Sequence, residues 1–201
     1  TTVLRAAAFV DGLAPTNVDT QTYLFLDDVR TQSRSEALGN GWPSGSVNGQ
    51  TFDYGMDPEI INSISEAEFE EAMTDIPTLS FVTDLDNFND PETGFWVNAE
   101  NRGRDWERPV SVELINPDGA SGFQIDAGVR LRGGFSRQGS NAKHSFRLAF
   151  RSEYGAGKLE YPMFGEEGAE RFDAIDLRAS QGGGGSWHFG HSTSATFNRD
   201  V

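Results

Sequence analysis

The 201 residues carry 31 acidic against 16 basic side chains, a net charge of −15, and repulsion of that size from a phosphate backbone excludes a whole-surface nucleic-acid binder. With no cysteine, disulfides, thiolate catalysis and Cys-ligated zinc are excluded, while 36% hydrophobic and 11% aromatic content is enough to bury a core. No run of about 18 apolar residues occurs, so no membrane-spanning helix is expected, and the opening Thr-Thr-Val, without Met, leads us to expect a fragment of a longer protein.

From the N-terminus, "TTVLRAAAFVDGLAPTNVDTQTYLFLDD" predicts two short strands around a Gly-Leu-Ala-Pro turn. Val18, Thr20, Thr22, Leu24 and Leu26 alternate with Asp19, Gln21, Tyr23 and Phe25, as in the last hairpin of a β-sandwich. Residues 27 to 54, rich in Ser, Gly, Asn and Gln, hold no period and are expected to be an extended linker. "SEAEFEEAM" has Ser65 as N-cap and Glu68 three residues on, a capping box, and predicts one short amphipathic helix that stops before Pro77.

After Pro77 five β-like runs follow: "TLSFVTD", "RPVSVELI", "GFQIDAGVRLRGG", "KHSFRLAFR" and "RFDAIDLRA". They predict an α+β, mostly β chain built on one antiparallel sheet, with Phe123, Ile125, Ala127, Val129, Leu131, Phe146, Leu148 and Phe150 facing the core. The domain expectation is residues 1–27 as the end of a β-sandwich, 28–75 as a linker with a short helix, and 76–201 as an incomplete sheet domain.

Charge is uneven along this plan. Residues 1–75, 76–120 and 121–201 have nets of −10, −6 and +1, and from Val129 to Lys158 seven basic residues face one acid, Glu153. Pairing the third and fourth runs as a hairpin through "GGFSRQGSN" would put Arg130, Arg132, Lys143, Arg147 and Arg151 on one sheet face. Two accounts stand. The face is either a solvated one, whose cations discourage edge aggregation, or an anion site in which Gly133, Gly134 and Gly139 admit phosphate oxygens to the backbone while Arg132 or Lys143 supplies charge. If it is not a site, acids such as Asp126 or Glu113 would offset the charge.

Two further groupings carry oxygen or nitrogen ligands. "TDLDNFNDPETG" offers Asp84, Asp86, Asn87, Asn89, Asp90 and Glu92, hard donors suited to Ca²⁺, against the preferred account of a loop whose Asx side chains bond their own backbone. His188 and His191, flanked by Gly182 to Gly185, are expected to be ordinary surface residues. Trp96 and Trp106 could stack on sugar rings, but such residues are more often core.

The residues from Ile76 to Val201 resemble the N-terminal part of bacterial proteins of the CotH (spore coat protein H) kinase-like family, most specifically through Arg132, Gly133, Gly134, Ser136 and Arg137 followed by Lys143, Ser145, Phe146, Arg147 and Leu148. His144 stands where a second Lys is more usual. The first 25 residues resemble the end of a chitobiase C-terminal-like β-sandwich module.

The resemblance implies the N-lobe of an atypical kinase that binds ATP with a divalent metal and phosphorylates Ser/Thr of protein substrates, in a secreted or cell-surface protein with further domains. It implies Lys143 as a nucleotide-phosphate contact, supported by Arg132, Gly133, Gly134 and Ser136. The metal-holding and base carboxylates of that family lie in a C-terminal lobe beyond "FNRDV", so the chain is expected not to be catalytic as given. The alternative is a non-catalytic extracellular structural or adhesive module, braced by Ca²⁺.

Overall fold

In a computed structural model of the chain, described at residues 1–117, 119–139, 141 and 144–179, the architecture is mixed, with more strand than helix and every strand pair antiparallel. In chain order the elements are β1 (Thr2–Ala6), β2 (Asp19–Tyr23), α1 (Leu26–Thr31), α2 (Arg34–Gly39), β3 (Ser46–Val47), β4 (Gln50–Thr51), α3 (Pro58–Ser63), α4 (Glu66–Thr74), β5 (Thr78–Val82) and α5 (Leu85–Asn89). There follow β6 (Arg108–Ile115), β7 (Ser121–Arg132), β8 (Ser145–Ala149), β9 (Leu159–Glu160), β10 (Arg171–Phe172) and β11 (Ala174–Leu177). No helix among the described residues is long and apolar enough to cross a membrane.

The central sheet has five strands in the order β11-β8-β7-β6-β5. Alternation explains its core face: Val110 and Val112 on β6, Ile125, Ala127, Val129 and Leu131 on β7, and Leu148 on β8 are all buried, with Phe150 following. Phe123 and Phe146 lie on the same face but are only half-buried. Phe95, Ala99 and Leu159 cover that face, and Phe88 and Trp96 extend the cover. Trp96 stacks on Phe88 and on Phe146, so it is a packing residue, and Trp106 carries Arg108 over its ring at 5.7 Å.

The opposite face of β6 is not left to water. The hairpin β1–β2 lies over it: Glu113 accepts hydrogen bonds from Thr22 N–H and Gln21 Nε2, both at 2.7 Å, and Thr22 Oγ1 bonds Ser80 Oγ at 2.7 Å. That cover is why the polar residues Ser111 and Glu113 are buried in a strand whose pattern alternates. The expected alternation of the hairpin is present, and it is the set with Thr20 buried and Thr22, Leu24 and Leu26 half-buried that faces inward between exposed neighbours, although Leu26 already opens α1.

The region expected to be a linker departs most. Besides α4, which Ser65 and Glu68 close with a reciprocal capping box, it folds into α1, α2, α3 and the two-residue ladder β3–β4. The start signals were local: Ser33 and Glu36 form a second capping box on α2, and Asp57 caps α3 ahead of Pro58 in the first turn. The run "RFDAIDLRA" is likewise not one strand. It breaks at Asp173, whose carbonyl accepts Phe150 N–H at 2.9 Å and whose carboxylate pairs with Lys158, so β10 joins β9 while β11 joins β8.

Candidate functional site

The strands β7 and β8 pair as expected, with Arg130 opposite Arg147 and Arg132 opposite Ser145. Arg130, Arg132, Arg147 and, just beyond β8, Arg151 make a cationic face. Its charge is met by two carboxylates, though not by Asp126 or Glu113. Asp176, opposite Arg147 on β11, accepts from Arg147 Nε at 2.6 Å and Nη2 at 2.8 Å and pairs with Arg132. Glu107, whose side chain is fully buried ahead of β6, accepts from Arg151 Nε at 2.7 Å and lies 3.4 Å from Arg130 Nε, a charge contact without a hydrogen bond.

Burial alone would raise the Asp176 carboxyl, but the hydrogen bonds and charge of Arg147, with Arg132 and Arg130 behind it, hold it below the ordinary value. The same geometry shapes Tyr154: burial first, then Glu107 and Glu153, push its phenol up to about 12. Gly128 makes the arrangement fit, because a Cβ there would lie 2.5 Å from the Tyr154 ring and 2.6 Å from Glu107 Cγ.

The glycine-rich turn after β7 is shaped by its own side chains. Gly133 has φ +104°, and a Cβ there would strike Ser136 Oγ, which donates to Arg132 O at 3.0 Å. Arg137, 6% exposed, donates from Nε to Gly133 O at 2.6 Å and from Nη1 to Asn101 O at 2.8 Å, stapling the turn to the 95–102 segment. His144 is buried edge-on to Trp96, its Nδ1 2.6 Å from Ser136 O, and burial lowers its pKa. It therefore points into the fold.

The turn opens on a cleft of about 830 Å³ lined by Asn48, Glu100, Arg102, Phe135 and Arg137, with Gly134, Gln138 and Gly139. Gly139 keeps it open on the β3–β4 side, since a Cβ there would meet Asn48 at 2.9 Å.

Of the residues expected to hold nucleotide, Gly134 lines this cleft, and Gly133 and Ser136 shape the turn beneath it. Arg132 is taken up by Asp176 instead. Lys143 lies outside the described residues, as do His188 and His191. Arg102 and the burial of Arg137 had no signal in the sequence beyond the motif containing Arg137. Glu107 and Asp176 had one: both share the parity of the polar face, Glu107 with Pro109, Ser111 and Glu113, and Asp176 between Ile175 and Leu177.

The acidic loop is partly helical. Asp84 sits at the start of α5 and pairs with Arg5 at 3.4 Å, and Asp86 lies in the first turn. Asp90 Oδ1 accepts from Glu92 N, Thr93 N and Thr93 Oγ1 at 2.8–2.9 Å, which lowers its pKa: the Asx turn of the preferred account. Asn87 donates to Thr83 Oγ1, and Asn89 Oδ1 is buried without a hydrogen bond. Among the described residues, no three His, Asp or Glu side chains are grouped so as to hold a metal ion.

The fold and cleft thus define a mixed, sheet-centred protein with a glycine-shaped turn beside an arginine-lined opening. No family model matches the chain, and neither a curated protein nor a solved structure matches it.

Proposed function

We propose that the chain is the phosphate-holding N-terminal lobe of a secreted or cell-surface protein kinase similar to the CotH family, taking ATP with a divalent metal at the glycine-rich turn and acting on Ser/Thr of a protein substrate once joined to its catalytic lobe. The observation that carries this is the turn itself: Gly133 at positive φ, Gly134 and Gly139 without side chains, and two arginines on one open cleft. The antiparallel five-stranded sheet and the R-G-G-x-S-R and K-x-S-F-R-L sequence motifs support it. In the same view the N-terminal hairpin is the end of a preceding β-sandwich module.

The test is calorimetric titration of the chain with ATP and Mg²⁺, beside Gly133→Ala. Binding by the parent, weakened about tenfold in the variant through loss of a charge-assisted contact, supports the proposal. No binding by the parent overturns it. Transfer of radiolabelled phosphate by the chain alone would contradict the assignment of catalysis to another lobe.

A second account is favoured by one observation. The four sheet arginines already have Glu107 and Asp176 as partners, so that face is complete without a ligand, as in a non-catalytic structural module. Absence of ATP binding would select it.

A further inference from the structure

Seven arginines of the fold are offset by acids: Arg5 by Asp84, Arg104 by Glu153, Arg130 and Arg151 by Glu107, Arg132 and Arg147 by Asp176, and Arg171 by Glu160, while Arg30, Arg34 and Arg108 donate to backbone carbonyls from half-buried positions. Arg137 differs. It is more deeply buried than any of these, its bonds go to two neutral carbonyls, and no carboxylate lies within ion-pair distance among the described residues. Desolvation first, then the charges of Arg130, Arg102 and Arg132, lower its pKa, so its surroundings work against its charge. A buried cation without a counter-charge is costly unless an anion reaches it.

The cleft supplies the route. Arg137 forms part of its wall, and its bond to Asn101 O fixes the adjacent, exposed Arg102 on the same opening. Asn48 and Gln138 add neutral polar groups, and Gly134 and Gly139 leave room for a ligand to approach the backbone. Glu100 is the opposing charge on the lining. Two cations against one carboxylate leave a net positive opening whose size suits a small-molecule ligand.

We infer that Arg137 and Arg102, not the sheet arginines, are the anchor of an oligophosphate group, with Glu100 weakening its hold. This rests on the phosphate-holding assignment of the same turn and names the residues that do the holding. A guanidinium already fixed by two carbonyls loses little freedom on meeting phosphate oxygens, and Arg102 closes the contact from solvent.

The experiment titrates the folded chain with tripolyphosphate without metal, and separately with ATP and Mg²⁺. Arg102→Ala should weaken tripolyphosphate about tenfold. Glu100→Gln should tighten it about threefold, a gain that a purely structural role would not produce. Arg171→Ala, which removes a surface charge elsewhere, should stay within about twofold. Arg137→Gln should lose binding where circular dichroism shows it folded; if it does not fold, Arg102→Ala and Glu100→Gln decide the matter.

Binding by the parent that is unchanged in Arg102→Ala overturns the anchor and leaves the phosphate-holding assignment standing. Failure of the parent to bind either probe overturns both.

Discussion

Glu107 is the point at which the cationic face is most exposed to perturbation. Replacing it with Gln keeps the volume and removes the charge, leaving Arg151 and Arg130 facing a neutral amide in a site where the carboxylate side chain is fully buried. Breaking a buried pair by removing one partner costs about 3–5 kcal/mol. Here the arginine side chains are 37% and 19% exposed, so water takes up part of the loss, and about 2–3 kcal/mol is expected. For a chain of this length that lowers Tm by about 4–12 °C.

Thermal and urea unfolding of Glu107→Gln, Arg151→Gln and the double variant should show a coupling of more than about 1 kcal/mol between the two positions. The double variant would then be less destabilised than the sum of the singles. A Glu107→Gln cost below about 0.5 kcal/mol, or additivity in the cycle, would refute the claim that internal acids hold this face together.

Leu148→Ala, at a position 1% exposed on the interior strand β8, should cost about 2–5 kcal/mol in a denaturant titration. Because the Tyr154 pKa is raised in the folded chain to about 12 from 10, the unfolded chain loses that proton first, and stability should fall as pH rises from 10 towards 12. Tyr154→Phe should flatten that limb. His144 is shifted the other way, so the unfolded chain gains the proton first and stability should decline as pH falls below 6.5; the loss should shrink in His144→Gln. Glu113→Gln, which weakens two anchors of the N-terminal hairpin, should raise amide exchange in β2 well before the β6–β7 ladder; equal protection in variant and parent would show that Thr22 and Gln21 do not hold the hairpin there.

Much of the sheet was legible because strand parity is a local property. Alternation in residues 108–115, 121–132 and 145–150 sorts apolar from polar side chains without reference to the rest of the chain, and once β7 pairs with β8 it puts Arg130, Arg132 and Arg147 together. The capping box at Ser65 was equally local. Its twin at Ser33 carries no comparable signal, because α2 is only six residues long, too short to show a period, and depends on packing to persist.

What only the tertiary structure decided was which charges meet. Glu107 and Arg151 are 44 positions apart and Arg147 and Asp176 are 29 apart, so their pairing depends on the order of strands across the sheet, not on spacing along the chain. The sequence by itself determined that a cationic strip exists and which residues share its face. The tertiary structure assigned its counter-charges to Glu107 and Asp176, buried Arg137 without one, and turned Arg102 towards the same cleft, because desolvation and Coulomb energy depend on distances that only folding sets.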